Sequence, residues 1–252
     1  MLNTVEMGEG DVPLVIVHGL FGSARNWRVL QKRLSAKRRV LAVDLRNHGE
    51  SFWHADNSYE ALADDLAEVI AAHGGVADVL GHSMGGKAAM VLALTRPESV
   101  RRLIVADIAP TAYGHTQAGH IAAMQAVDLS VVSRRSEADK QLAETVPNAP
   151  LRAFFLQSVA LQEGSARWQL NLQALADEMP KIMGFPELGA VFDGLTLMLH
   201  GGLSDYVQSK MHPEIRRRFP QAKFAEIEGA GHWLHAEKPR EFLAAVEGFL
   251  QD

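Results

Sequence analysis

The stretch that most restricts the fold is "VADVLGHSMGGKAAMVLAL", residues 76–94. Its first part is an apolar run of strand character and its last part is rich in good helix formers, with only "GHSMG" between them. A chain that passes from strand to helix so abruptly must lay the helix back against the strand, bringing two backbones close together. Gly81, Gly85 and Gly86 stand where that approach leaves no room for a Cβ, and Pro97 closes the helix. Repeated along a chain, this unit makes a parallel sheet covered by helices.

The repeats are present. "PLVIVHG" at 13–19, "VLAVDLR" at 40–46, "VRRLIVADIAP" at 100–110, "LTLMLHGG" at 195–202 and "AKFAEIEGAGH" at 222–232 are further short apolar runs, the pattern of strands buried on both faces. Between them lie amphipathic segments, such as Leu62, Leu66, Val69 and Ile70 at helical spacing after the expected N-cap Ser58. The alternation fails from about 110 to 194, where "GHIAAMQAV", "SEADKQLAETV", "PLRAFFLQSVAL" and "RWQLNLQALADEM" read as helices and no strand is expected. The expected architecture is therefore an α/β core formed by 1–109 and 195–252, with a mostly parallel central sheet flanked by helices. A helical cap, 110–194, is inserted between two of its strands. Most apolar side chains of the insertion fasten it to the sheet, while Phe154, Phe155 and Trp168 are candidates for one wall of an apolar substrate pocket, and Trp233 is a further candidate substrate contact.

Composition narrows the chemistry. The 252 residues contain no cysteine, which removes disulfides, thiolate nucleophiles and thiolate metal sites. A formal net charge of −5 with only short basic runs offers no footprint for nucleic acid. The acidic N-terminal stretch lacks the basic start of a signal peptide, and no apolar run approaches the roughly 20 residues of a membrane span, so a cytoplasmic protein is expected.

"GHSMG" fits the G-x-S-x-G pattern in its required context, after a strand and before a helix. Ser83 is the candidate nucleophile, and a serine needs a base. Of eleven histidines, His232 in "GAGHWLHAEKP" lies in the loop after the last strand, where a Ser, acid, His order places one; His235 is its neighbour and rival. No third ligand accompanies these two histidines, so no metal is expected. Two aspartates end strands and compete as the acid that orients the histidine: Asp107 in "VADIAP" and Asp205 in "HGGLSDYV", beside Ser204. Asp107 is favoured because it directly follows its strand, before a turn-fixing proline. Stabilising a tetrahedral oxyanion takes two N–H donors, expected from the backbones of Met84, next to the nucleophile, and Leu20 in "HGLFGS". Phe21 beside it would touch substrate. Asp44, Arg46 and His48 in "VDLRNHGES" read as loop bracing, and Lys87 as a snorkelling or paired cation.

Together "HGLFGSARNW", "VDLRNHGES", "GHSMGGKAAM", "DIAP" and "GAGHWLHAEKP" resemble the α/β-hydrolase superfamily, and within it the bacterial YbfF-like esterases. The resemblance runs through nearly the whole chain. It implies a capped, cofactor-free hydrolase acting on small-molecule carboxylic esters, with acyl-CoA thioesters as a further substrate class. It also implies that serine, here Ser204, occupies the usual acid position and that the "DIAP" aspartate is the acid. Asp205, directly after Ser204, departs from the pattern and stays open as an auxiliary or substitute acid. Carbon–carbon bond hydrolysis, cofactor-free lyase chemistry and a ligand receptor that retains the triad are the alternatives on the same scaffold.

Overall fold

Every residue of strands β2 (Leu14–Val17), β3 (Val40–Val43) and β4 (Ala77–His82) is buried. Their side chains alternate between two cores. Val15, Val17 and Val79 pack with Leu62, Leu66, Met90 and Val91 from the helices Tyr59–Ala72 and Met84–Thr95. Leu14, Ile16 and Leu80 point the other way, to Leu30 and Leu34 of the helix Arg28–Leu34 and to Phe242 and Val246 of the helix Pro239–Gln251. Burying one such side chain contributes about 1.5–3 kcal/mol, whereas the whole range of strand propensity spans only ~1 kcal/mol. Two-sided burial therefore commits these runs to the sheet interior.

The computed structural model describes residues 1–162 and 165–251. With β1 (Thr4–Met7), β5 (Val100–Ala106), β8 (Leu195–Gly201) and β9 (Ala222–Ile227), the strands form one seven-stranded sheet in the order β1-β3-β2-β4-β5-β8-β9. Only β1 runs antiparallel to its neighbour. All the parallel strands consequently end at the same edge, and the loops that leave β2, β4, β5, β8 and β9 converge there. Among the described residues no helix is long and apolar enough to cross a membrane.

Between β5 and β8 the chain forms the helices Ala118–Gln125, Arg135–Leu142, Ala149–Leu156, Leu172–Asp177 and Met179–Met183. The expectation of helices alone is corrected here, because β6 (Val159–Gln162) and β7 (Ser165–Trp168) pair as an antiparallel two-stranded sheet. The Arg135 guanidinium takes the carbonyls of Leu156 and Val159, at 3.0 and 2.7 Å, so these acceptors are held where the preceding helix ends and β6 starts. That long-range contact is invisible to periodicity. The segment is tied to the sheet-bound helices by the Tyr59 hydroxyl, which donates to Ile182 O at 2.6 Å, and to the loop after β3 by Asn171 N–H, which donates to Asn47 O at 3.0 Å.

Candidate active site

At the end of β4 Ser83 takes φ 52°, ψ −121°, a conformation that costs a non-glycine residue about 1–3 kcal/mol. Its surroundings impose it: Ser83 N–H donates to Ala106 O on β5, and Ser83 O accepts from Lys87 N–H in the first turn of the helix. A Cβ on Gly81 would lie 2.3 Å from Gly85 O, and one on Gly85 would lie 2.3 Å from His18 O. Neither position tolerates a side chain.

The Ser83 hydroxyl lies 3.0 Å from His232 Nε2, and His232 Nδ1–H donates to Asp107 Oδ2 at 2.7 Å. Asp107 is fully buried and, like Ser83, has positive φ, 54°. Because His82 on β4 pairs with Ala106 on β5, the residues one step beyond each strand stand side by side. The Asp107 carboxylate also accepts from Gly201 N–H and from the Ser204 hydroxyl, since β8 is the next strand over. Asp205 is exposed, and its carboxylate accepts from Gln208.

The loop after β2 is braced by two buried histidines. His18 Nδ1–H donates to Gly19 O and Nε2 accepts from Leu45 N–H; His48 Nδ1–H donates to Arg46 O and Nε2 accepts from Phe21 N–H. Burial lowers the pKa of both, that of His48 to about 3. Phe21, with φ 64°, thus has its N–H engaged, whereas Leu20 N–H and Met84 N–H have no acceptor among the described residues. Both residues face a cavity of about 270 Å³ beside Ser83.

Phe21, Phe154, Phe155 and Trp233 line that cavity, with Phe21 edge-on to Phe155 at 5.4 Å between centroids. Trp168 does not. The indole N–H of this β7 residue donates to Met124 O inside the inserted segment, so its expected substrate contact is corrected to a structural one. In the loop after β3, Arg46 pairs with Asp65 at 2.6 Å rather than with Asp44, whose carboxylate accepts from Ala24 N–H, Glu50 N–H and Asn3.

Two site residues, Tyr206 and Tyr113, belong to no motif, and His82, which lies inside the serine motif, braces the site through a backbone carbonyl. His82 Nε2–H donates to His232 O at 2.8 Å, which fixes the loop carrying the imidazole. Burial, reinforced by His235 and His232, holds its pKa well below the usual range. Tyr206 stacks on the His232 ring, and Tyr113 donates its hydroxyl to Tyr206 O. No periodicity marks any of them; the nearest signal was the position of His82 beside Ser83. The rival His235 is half-buried and stacked on Trp27, 4.3 Å between centroids.

Lys87, one helical turn after Ser83, donates to the carbonyls of Met183 and Gly184 and lies 4.8 Å from the centre of the Tyr113 ring. It has no carboxylate partner among the described residues, and burial pushes its pKa down to about 7. An unfolded lysine titrates near about 10.4. Between these values the unfolded chain binds the extra proton, so this residue makes stability rise with pH. Lys87→Met should remove that component. Urea unfolding of both proteins from pH 6.5 to 10 is expected to show the wild type gaining on the variant across the window; a constant difference would contradict it.

A mostly parallel sheet whose converging strand ends carry a hydrogen-bonded serine, histidine and aspartate defines the α/β-hydrolase class. The chain belongs to the alpha/beta hydrolase family, whose profile matches residues 14–246. It is 46% identical to the mouse (Mus musculus) sn-1-specific diacylglycerol lipase ABHD11, covering 96% of this chain and 82% of that protein. It is 36% identical to esterase YbfF of Escherichia coli (strain K12), covering 99% and 97%. Among solved structures, a marine microorganism esterase superposes with a TM-score of 0.94 at 38% identity, over 98% of both chains.

Proposed function

We propose that this chain is a serine ester hydrolase that works through an acyl-enzyme on Ser83. The observation that carries the reading is the continuous hydrogen-bonded path from Asp107 through His232 to the Ser83 hydroxyl, at the rim of an apolar cavity. His232 takes the serine proton as Oγ attacks the ester carbonyl, while Asp107 keeps Nδ1 protonated and orients the ring. The developing oxyanion is bound by the N–H groups of Leu20 and Met84; removing one such donor from an enzyme typically costs about 2.7–4 kcal/mol. His232 then protonates the leaving alcohol, and a water activated by the same imidazole releases the acid. No step needs a cofactor.

The 110–194 segment acts as a cap in this proposal. Phe154 and Phe155 from the cap, with Phe21 and Trp233 from the core, receive the apolar part of the ester. The names of the relatives, two esterases and a diacylglycerol lipase, support acyl esters as the substrate class. Acyl-CoA thioesters are a second candidate group, since the same attack expels a thiol.

The test is kcat/KM across p-nitrophenyl esters of graded acyl length and matched acyl-CoA thioesters. Multiple turnover is expected with the esters, passing through an optimum and falling once the chain outgrows the ~270 Å³ cavity. Absence of turnover with every ester and thioester would overturn the proposal in favour of a ligand receptor or carbon–carbon bond chemistry.

A further inference from the structure

The run Ser204–Tyr206 reaches His232 from two directions. Ser204 donates its hydroxyl to the same Asp107 oxygen that accepts from His232 Nδ1–H. Tyr206, two residues on, lays its ring over the imidazole, 4.0 Å between centroids and 21° between planes. The tyrosine is itself held in place. Its N–H donates to Ser204 Oγ, its carbonyl accepts from the Tyr113 hydroxyl at 2.7 Å, and its own hydroxyl is hydrogen-bonded to His115 Nε2 at 2.8 Å.

We propose that Tyr206 is a positioning residue for His232, its ring holding the plane of the imidazole and stabilising the imidazolium that forms when Ser83 loses its proton. This rests on the ester-hydrolase reading of the same site. Two physical arguments carry it. A face-to-face stack resists tilting of the imidazole but leaves motion within its plane free. Nε2 can then swing from Ser83 Oγ towards a leaving-group oxygen without losing Asp107. In addition, the negative face of an aromatic ring attracts a cation above it, so the stack is stronger for the imidazolium than for the neutral ring. That is a differential interaction of the kind that lowers a barrier.

The other groups around His232 do not supply this. Asp107 and Ser83 meet the ring edge at Nδ1 and Nε2. The His82 ring is tilted by 41° at 4.8 Å and donates to the backbone carbonyl of His232, while Trp233 lies 6.2 Å away. His82 and His235 are both held neutral by burial, and a charge on His232 opposes charge on either. Tyr206 is the close, nearly parallel partner. Burial first, and Asp107 second, raise the pKa of its phenol, so it acts as a neutral ring.

The test compares Tyr206→Phe, Tyr206→Leu and pentafluorophenylalanine at position 206, which keeps a six-membered ring and reverses its quadrupole. Two quantities are read: the pH profile of kcat/KM on a soluble aryl ester, and the titration of the His232 imidazole by NMR in the resting protein. Tyr206→Phe is expected to leave both midpoints in place. Tyr206→Leu and the fluorinated ring should lower them by roughly half a pH unit to one and a half, and reduce plateau kcat/KM roughly three- to thirty-fold. Unchanged midpoints in the leucine variant would overturn the proposal, as would an equal loss in Tyr206→Phe, which would assign the effect to the hydroxyl and His115. If leucine unfolds the loop, the fluorinated ring decides by the same criteria. The NMR titration needs no substrate, so it reads the stack even where ester turnover fails.

Discussion

Ser83→Ala is expected to lower kcat for ester hydrolysis by about 10⁴- to 10⁶-fold, the range spanned when single members of a catalytic triad are removed. The Ser83 hydroxyl is hydrogen-bonded to His232, and its side chain does not cap the helix behind it. The variant should therefore fold and melt as the wild type does, and still bind substrate, since the aromatic walls and both free N–H groups remain. Stopped-flow measurement should show the second half of the argument: the wild type releases a burst of p-nitrophenol equal to the enzyme concentration when deacylation is slow, and the variant releases none. Hydrolysis at the wild-type rate in Ser83→Ala would remove the acyl-enzyme from the mechanism.

The second large effect separates the two acids. Asp107→Asn is expected to lower kcat by roughly 10³- to 10⁴-fold, because a neutral amide neither fixes the Nδ1–H tautomer nor stabilises the imidazolium. Asparagine tolerates the positive φ at this position, 54°, better than other substitutes, so the backbone should survive. Asp205→Asn should leave kcat within about two-fold, because that carboxylate is exposed and its hydrogen bond goes to Gln208. Measuring kcat for both variants alongside their melting temperatures checks the assignment. A large loss confined to Asp205→Asn would reverse it.

Much of the fold was legible because its determinants are local. Runs such as "PLVIVHG" and "VLAVDLR" are apolar at every step, and only a strand covered on both faces uses them. Gly81 and Gly85 announce a strand and helix in backbone contact, where 2.3 Å of clearance admits hydrogen alone. The β6–β7 pair was missed because four-residue strands carry too little alternation to stand out, and what defines them is pairing, with Arg135 holding the carbonyls of Leu156 at the preceding helix end and of Val159 at the start of β6. Trp168 was misjudged for a related reason: periodicity shows that an indole is to be buried but not which surface covers it, and Met124 O receives its N–H.

By itself, then, the sequence determined the strand–turn–helix unit around Ser83, the parallel sheet and the loops that end at one edge, since each follows from burial and backbone sterics within a short window. Which aspartate meets His232 was decided only by tertiary structure. The sheet order places β5 directly beside β4 and puts β8 on its far side, so the residue after β5 falls at Nδ1 while the β8 loop contributes Ser204 to the carboxylate and Tyr206 to the imidazole face. The order of strands depends on the packing of the whole chain, and no local pattern in any one strand contains it.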